Sequence, residues 1–226
     1  HMNNFYRVVK EIRARHPDVE FEACASGGAR VDLGAMQYFH EYWPSDNTDP
    51  FDRLFIQNGY SLLYPPKYMR AWVTDVPEGP TSRKASLGFA LHTAMCGSLG
   101  IGNNLNRLEE TELALIREQI SVYKRIRPVI QFGDLYRLKN YEDNCFWAVQ
   151  YVKDGRSVIF AFLTQSRFGK NRWRIKAAGL QGDGLYQVCL PGGSVRKSGA
   201  FLMNFGLEIR LSGDYDSCMI LIEQEA

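Results

Sequence analysis

The chain has 226 residues, which is room for one large domain or two modest ones. With 45% hydrophobic and 13% aromatic residues, it has enough apolar side chains to build a packed core. The net charge of +2 is too small to indicate a nucleic-acid partner or an acidic membrane surface. No apolar run approaches the roughly 18 residues of a membrane span.

Helices and strands are predicted to alternate from residue 3 onward. Apolar residues at helical spacing predict a helix over 3–15, which ends at His16 because the following proline pushes that residue out of the α region. The alternating segment Val19–Cys24 predicts a strand that runs into a glycine-containing loop. An aromatic-rich segment follows over 36–43 and ends at a proline.

A second helix is predicted to begin at Pro50. Asp49 is the expected N-cap, and proline is favoured at the first helical position. Gly59 is expected to end this helix, and the apolar run Tyr60–Tyr64 predicts a short strand after it. Asp49 is fully explained as a cap, so no chemistry is assigned to it.

The alternation continues to about residue 128. We expect a helix within 82–92, a short strand at Ala94–Gly97, and a long helix with a capping arrangement, Asn106-x-x-Glu109, that ends at Pro128. Alternating helices and strands favour a parallel sheet with helical crossovers. The polar motifs of this half lie where strands end, which is where barrel enzymes place their chemistry.

The pattern changes after about residue 138. Short β-rich segments separated by glycine turns, without a helical stripe, predict an antiparallel sandwich. The clearest strand candidates are Phe146–Val152, Ser157–Leu163, Leu207–Leu211 and Cys218–Ile222. The fold class predicted from residue patterns is therefore α/β followed by all-β.

Five scattered cysteines, with no C-x-x-C, favour reduced thiols and a cytoplasmic location. The four histidines share no ligand spacing with the cysteines, so no metal site is expected. Basic clusters at 124–127 and 172–174 are explained by a helix end and a charge-balanced β segment. No nucleic-acid or membrane partner is therefore expected.

Two motifs carry the functional signal. Residues 43–49 read Trp-Pro-Ser-Asp-Asn-Thr-Asp, and residues 24–30 read Cys-Ala-Ser-Gly-Gly-Ala-Arg. Taken alone, the first motif fits an Asx turn or a helix cap. Together with the downstream segment Phe51–Leu54, the two motifs fall in the order found in glycoside hydrolase family 36. The chain resembles the carboxyl-terminal part of the catalytic barrel of these melibiase-type α-galactosidases.

The resemblance implies strands five to eight of a TIM (β/α)8 barrel in residues 3–136 and an antiparallel β-sandwich in 137–226. It implies a retaining α-galactosidase that acts on melibiose, raffinose or related α-galactosides, and it implies no cofactor or metal. Asp46 matches the family's general acid/base. The family's nucleophile lies in a Lys-Trp-Asp motif that does not occur in this sequence. His1-Met2 looks like an expression-tag remnant, so we expect a truncated chain that begins after the fourth barrel strand and is inactive alone.

Three further residues match sugar-contacting positions of the family. Cys24 and Gly27 are expected to contact the sugar hydroxyl next to the reacting carbon, because a glycine lets the backbone approach closely. Trp43 is expected to border the galactose pocket with its ring. The family usually has a third glycine at position 29, where this chain has alanine.

Arg30 and Asp32 also match family positions. The resemblance implies that they act on the acid/base and not on the sugar itself, with Arg30 orienting the Asp46 carboxylate or tuning it electrostatically. An ordinary surface ion pair is the alternative interpretation of these two charges.

Two other functions stay open. One keeps the fold and changes the reaction, to an α-N-acetylgalactosaminidase or a galactosyltransferase of the raffinose-synthase type; the Cys24-x-x-Gly27 element argues against an N-acetyl sugar. The other is a non-catalytic structural or sugar-binding fragment.

A half barrel has unpaired strand edges and an inner apolar face, expected from Phe21, Leu62, Leu63 and Met95. We therefore expect a homo-oligomer.

Overall fold

The computed structural model describes residues 2–75, 83–139, 145–166, 168 and 172–225. Its amino-terminal part alternates helices with short strands. The helices are α1 (Met2–Arg15), α2 (Pro50–Ser61), α3 (Leu87–Met95) and α4 (Glu110–Phe132). The strands are β1 (Glu22–Ala23), β2 (Glu41–Tyr42), β3 (Arg70–Val73) and β4 (Ser98–Ile101).

These four strands are parallel and lie in the order of the sequence. β1 pairs with β2, β3 pairs with β4, and a single parallel bridge between Tyr42 and Met69 joins the two pairs. Over the described residues the strands form an open array and not a closed barrel. Helical crossovers between parallel strands were predicted from the sequence, and this pattern is confirmed.

The two faces of the array differ in character. Ala23, Tyr42, Ala71 and Val73 are buried, at most 2% exposed, and their clusters include residues of α1 and α3. Side chains alternate along a strand, so the opposite face carries the residues on either side of these. That second face, here called the open face, is formed by Glu22, Glu41, Arg70 and Ser98 where the strands begin, and by Cys24, Trp43, Trp72 and Gly100 where they end.

The strand expected at Tyr60–Tyr64 is wrong. Helix α2 continues past Gly59 to Ser61, and Leu62 and Leu63 lie in the following turn with 70% and 66% exposure. A glycine inside a helix costs only about 1 kcal/mol, and the packing of the helix outweighs that cost. The strand of this region is β3, which the sequence analysis did not identify.

The strand expected at Ala94–Gly97 is also wrong, because α3 continues to Met95 and β4 begins at Ser98. A short apolar run fits a buried helix and a buried strand equally well, and here the helix wins. Met95 is fully buried and belongs to a core cluster with Phe89 and Phe160. It was expected on the inner apolar face of the strands, and this expectation is wrong.

Helix α4 differs from its prediction at both ends. Its N-cap is Glu109, whose side chain forms a capping box with Glu112, so Asn106 has no part in the cap. The helix runs through Pro128 to Phe132. Pro128 lies on the exposed side of the helix, while Tyr123, Ile126 and Val129 are buried on the other side. Burial of that stripe outweighs the one hydrogen bond that proline removes.

The carboxyl-terminal part is an antiparallel β structure of two layers. The strands are β5 (Asp134–Lys139), β6 (Phe146–Lys153), β7 (Arg156–Leu163), β8 (Arg172–Ile175), β9 (Leu185–Leu190), β10 (Gly193–Ser198), β11 (Leu207–Arg210) and β12 (Asp216–Gln224). One layer is a six-stranded sheet in the order β10-β9-β12-β7-β6-β5, and the other is the two-stranded ribbon β8–β11. A short helix, α5 (Gly199–Asn204), lies in a region where only strands were expected.

A dense apolar core lies between the two layers. The rings of Phe146 and Trp173 stack at 4.5 Å between centroids with an interplanar angle of 3°. Ile159, Ile220 and Ile209 belong to the same cluster and are at most 5% exposed. The predicted antiparallel sandwich is therefore confirmed in its strands and its layered packing.

The other face of the six-stranded sheet packs on the helices of the first part. Tyr151 Oη donates to the carbonyl of Cys96 at 2.7 Å, and Arg137 Nε donates to Asn58 Oδ1 at 2.8 Å. Strand β5 spans the expected domain boundary at 136/137 and pairs along its length with β6. The six-stranded sheet therefore begins at Asp134, directly after α4.

None of the described helices is long and apolar enough to cross a membrane. Each of the five cysteines is a free thiol. Over the described ranges, no group of three or more His, Cys, Asp and Glu side chains has the arrangement of a metal site.

Candidate active site

Asp46 lies in the loop after β2, at the end of the strands where polar motifs were expected. The indole Nε1 of Trp43 donates a hydrogen bond of 2.9 Å to Asp46 Oδ1. The Trp43 side chain is 9% exposed, whereas Asp46 is exposed. Among the described residues, the second oxygen, Oδ2, has no hydrogen-bond partner. The indole therefore fixes one oxygen of the carboxylate and leaves the other available for proton transfer.

The glycine loop after β1 packs directly against the backbone of the Asp46 loop. Gly27 has φ +73°, and a Cβ at this position would lie 2.9 Å from Ser45 Cα and 3.0 Å from Asp46 N. A Cβ on Gly28 would lie 2.6 Å from the carbonyl oxygen of Pro44. Any larger residue at these positions would push the Asp46 loop away. Gly27 was expected to contact the sugar, and what the structure shows is that Gly27 packs against the Asp46 loop and sets its position.

Cys24 precedes this loop and follows β1 directly. It is exposed, and strand alternation places it on the open face because its neighbour Ala23 is buried on the helix side. The structure therefore brings Cys24, Gly27, Trp43 and Asp46 together at the ends of β1 and β2.

Arg30 and Asp32 lie elsewhere. The Arg30 guanidinium is 4.6 Å from the ring centroid of Phe5 on α1. Asp32 accepts hydrogen bonds from Tyr6 Oη at 3.0 Å and from the Ala35 backbone at 2.7 Å. These contacts fasten the loop after β1 to α1. Among the described residues, neither the Arg30 nor the Asp32 side chain contacts Asp46. The geometry therefore does not show these two residues supporting the acid/base directly.

A different arginine supports the Asp46 loop. Arg53 on α2 is 2% exposed, and its guanidinium donates to the carbonyl of Arg70 at 2.7 Å and, over a long 3.5 Å, to the carbonyl of Ser45. It also lies 5.2 Å from the ring centroid of Trp43. Burial lowers the pKa of Arg53 to about 10, so it stays charged at neutral pH. Arg53 was noticed only as part of the motif after Asp46, because sequence does not show that α2 turns it inward.

Replacing Arg53 with methionine is expected to lower the free energy of unfolding by about 1–3 kcal/mol, because the partly buried carbonyls of Ser45 and Arg70 lose their donor. Urea denaturation measures this. The matched control is Arg7→Met, which removes an exposed arginine and its surface pair with Glu11 and should leave the urea midpoint unchanged. Equal midpoints for wild type and Arg53→Met would show that the buried guanidinium does not hold this region together.

Trp72 is the second residue that sequence did not single out from other polar-tipped residues near strand ends. Its ring centroid lies 4.9 Å from that of Trp43, at an interplanar angle of 47°. The open face therefore carries two adjacent indoles beside the carboxylate of Asp46.

Asp49 behaves as the sequence predicts. Its carboxylate accepts from the backbone N–H groups of Phe51 and Asp52, each at 3.0 Å, and so caps α2. Arg83 forms an ion pair with the same carboxylate. The two acids of the motif thus differ: Asp49 is satisfied as a cap, and Asp46 is presented at the open face.

Comparison with known proteins decides the family. The profile of the family described as Melibiase matches residues 1–133, and that of the glycosyl hydrolase family 36 C-terminal domain matches residues 146–222. The chain belongs to glycoside hydrolase family 36. The resemblance noted from the motifs is thereby confirmed, and the two matched regions fall on either side of β5.

Relatives in this family are α-galactosidases. The chain is 36% identical over its whole length to probable alpha-galactosidase G of Aspergillus terreus, of which it covers 31%. The structure matches the GH36 alpha-galactosidase AgaB from Geobacillus stearothermophilus with a TM-score of 0.92 and 34% identity, over 98% of this chain and 31% of that one.

A third comparison is with a protein solved together with a sugar. A variant of the GH36 alpha-galactosidase AgaA from the same bacterium, solved in complex with raffinose, matches with a TM-score of 0.92 and 32% identity, over 98% of this chain and 31% of that one. This family 36 chain therefore spans about a third of the length of the relatives it matches.

Proposed function

We propose that this chain is the carboxyl-terminal part of a retaining α-galactosidase, with Asp46 as its general acid/base. The observation that carries the proposal is the hydrogen bond from Trp43 Nε1 to Asp46 Oδ1, formed at the strand ends where the glycine loop fixes the same segment. The α-galactosidase names of its relatives support the reaction class.

The four parallel strands are proposed to be strands five to eight of a (β/α)8 barrel. Their order, their direction and the bridge that joins the two pairs support this assignment. The six-stranded sheet and its ribbon are then the C-terminal domain of the enzyme, with the boundary at the start of β5. The open face becomes the inward face of the barrel.

The chemistry follows from a carboxyl group held at one oxygen. In the first step the Asp46 carboxyl protonates the glycosidic oxygen of the leaving sugar, while a second carboxylate attacks the anomeric carbon. In the second step the Asp46 carboxylate accepts a proton from the attacking water. The two carboxylates of a retaining enzyme lie about 5–5.5 Å apart. We propose that the nucleophile belongs to a part of the protein outside these 226 residues.

The proposed substrates are α-galactosides of the melibiose and raffinose type. The raffinose complex of the AgaA variant supports this class. The experiment is to express the longer protein that carries this chain and to compare hydrolysis of melibiose with that of an aryl α-N-acetylgalactosaminide. Release of galactose from melibiose is the expected result. Preference for the N-acetyl sugar, or transfer to sucrose in place of water, would support the other two reactions and contradict ours.

We also propose that the isolated chain self-associates, because β1 and β4 each have one backbone edge that no described strand pairs with. Light scattering after size-exclusion chromatography is expected to give a mass at least twice 25.8 kDa. The open face is more polar than expected, since Glu22, Glu41 and Arg70 lie on it and Arg70 pairs with both glutamates. A monomer at all micromolar concentrations would contradict this proposal.

A further inference from the structure

Trp72 is an exposed indole on a face that is otherwise polar or shielded. It is 38% exposed, although the strand residues on either side of it, Ala71 and Val73, are at most 1% exposed. Large apolar side chains with this exposure are common singly on protein surfaces and need a further observation before they indicate a function.

The further observation is that two glycines, Gly100 and Gly102, lie against the Trp72 ring. A Cβ on Gly100 would be 2.5 Å from Trp72 Cδ1, and a Cβ on Gly102 would be 3.2 Å from Trp72 Cε3. The distance of 2.5 Å is far shorter than a van der Waals contact, so any other residue at Gly100 would displace the indole. The distance of 3.2 Å at Gly102 is at the short limit of such a contact. Gly100 of β4, and Gly102 directly after this strand, therefore lie against the ring. The glycines and the Trp43 ring hold the indole in place, and 38% of Trp72 stays exposed among the described residues.

The position is next to the candidate acid. Trp72 contacts Trp43, and Trp43 in turn holds Asp46 by its indole N–H. The Arg70 guanidinium lies 6.0 Å from the Trp72 ring centroid on the same face. The rigid indole is thus one side chain away from the carboxyl that would protonate a glycosidic oxygen.

We infer that Trp72 is a substrate-binding residue that packs the exposed part of its indole against the apolar C–H face of a pyranose ring, and that Gly100 and Gly102 leave the room that the indole needs in this position. Pyranose rings present C–H groups that pack well on aromatic faces. The inference rests on the proposed function for the identity of the sugar, an α-galactoside. Two rings are chemically able to make the contact, the galactosyl ring and the ring of the leaving sugar.

The test uses the longer protein with Trp72→Leu, Trp72→Phe and Gly100→Ala. We expect Trp72→Leu to raise the KM for melibiose roughly 10-fold, Trp72→Phe to raise it less, and Gly100→Ala to act like Trp72→Leu because its methyl group moves the ring. Phe205→Leu, which removes an exposed aromatic ring from the carboxyl-terminal part, is the matched control and should leave KM unchanged. Thermal melting is recorded for each variant, and Trp72→Phe decides the matter if the other two do not fold.

Calorimetric binding of free galactose, which needs no turnover, distinguishes the two rings and the two proposals. Weaker galactose binding in Trp72→Leu assigns the contact to the galactosyl ring, and unchanged galactose binding with a raised melibiose KM assigns it to the leaving sugar. A wild-type protein that binds galactose through Trp72 without hydrolysing melibiose would sink the proposed function alone. Unchanged KM and unchanged galactose binding in all three variants would overturn the inference about Trp72 alone, and would show that protein covers the ring.

Discussion

Asp46→Asn in the longer protein is expected to slow hydrolysis of raffinose by about 10²–10⁴-fold, because the leaving sugar departs only when its oxygen is protonated. An activated aryl α-galactoside should still complete the first step, since its leaving group needs little protonation. A burst of released phenol followed by slow turnover is therefore expected, and rapid-quench kinetics measures it. This difference between substrates is the signature of a lost acid, as loss of the nucleophile would block both.

The matched control is Asp49→Asn, three residues away in the same motif. Asparagine caps a helix about as well as aspartate, so α2 should keep its start and hydrolysis of raffinose should be retained. Equal loss of the first step for raffinose and for the aryl substrate in Asp46→Asn would count against Asp46 as the acid. Loss of activity in Asp49→Asn to the same degree would show that the motif cannot be divided into an acid and a cap.

The isolated chain of 226 residues is expected not to hydrolyse α-galactosides at all. Acid catalysis without a nucleophile forfeits the covalent route, and proton transfer alone contributes only about 10²–10⁴-fold. Release of nitrophenol from the aryl galactoside over days, with Asp46→Ala as the paired sample, measures this. Turnover that co-purifies with the chain and vanishes in Asp46→Ala would show that these residues suffice for catalysis.

Local rules predicted those parts of the site that depend on neighbours in the sequence. Asp49, followed by proline, was predicted as the cap of α2, and its backbone contacts confirm it. Asp46 was distinguished from an ordinary turn residue only by its family motif, because the Trp43 hydrogen bond that marks it is a matter of side-chain direction. Nothing in the local sequence excludes an Asx turn at that position.

The rest of the site depends on packing between segments far apart in sequence. Arg53 of α2 reaches the carbonyls of Ser45 and Arg70, which lie 8 and 17 residues away in sequence. Trp72 keeps its position because Gly100 and Gly102 leave room for the ring. The same cause explains the errors in the fold. Glycine and proline often end helices, yet α2 runs through Gly59 and α4 runs through Pro128. They do so because the buried side of each helix packs against neighbouring elements.

The most direct test of Asp46 as general acid/base is the anomeric configuration of the product that the Asp46→Ala longer protein forms from an aryl α-galactoside in the presence of azide. Without its acid/base, a retaining enzyme still forms the glycosyl-enzyme intermediate with one inversion, and azide then attacks without needing a base and inverts again. The account predicts α-galactosyl azide, identified by the proton NMR coupling of the anomeric hydrogen. β-Galactosyl azide, the product of a single inversion, would identify Asp46 as the nucleophile and contradict the account.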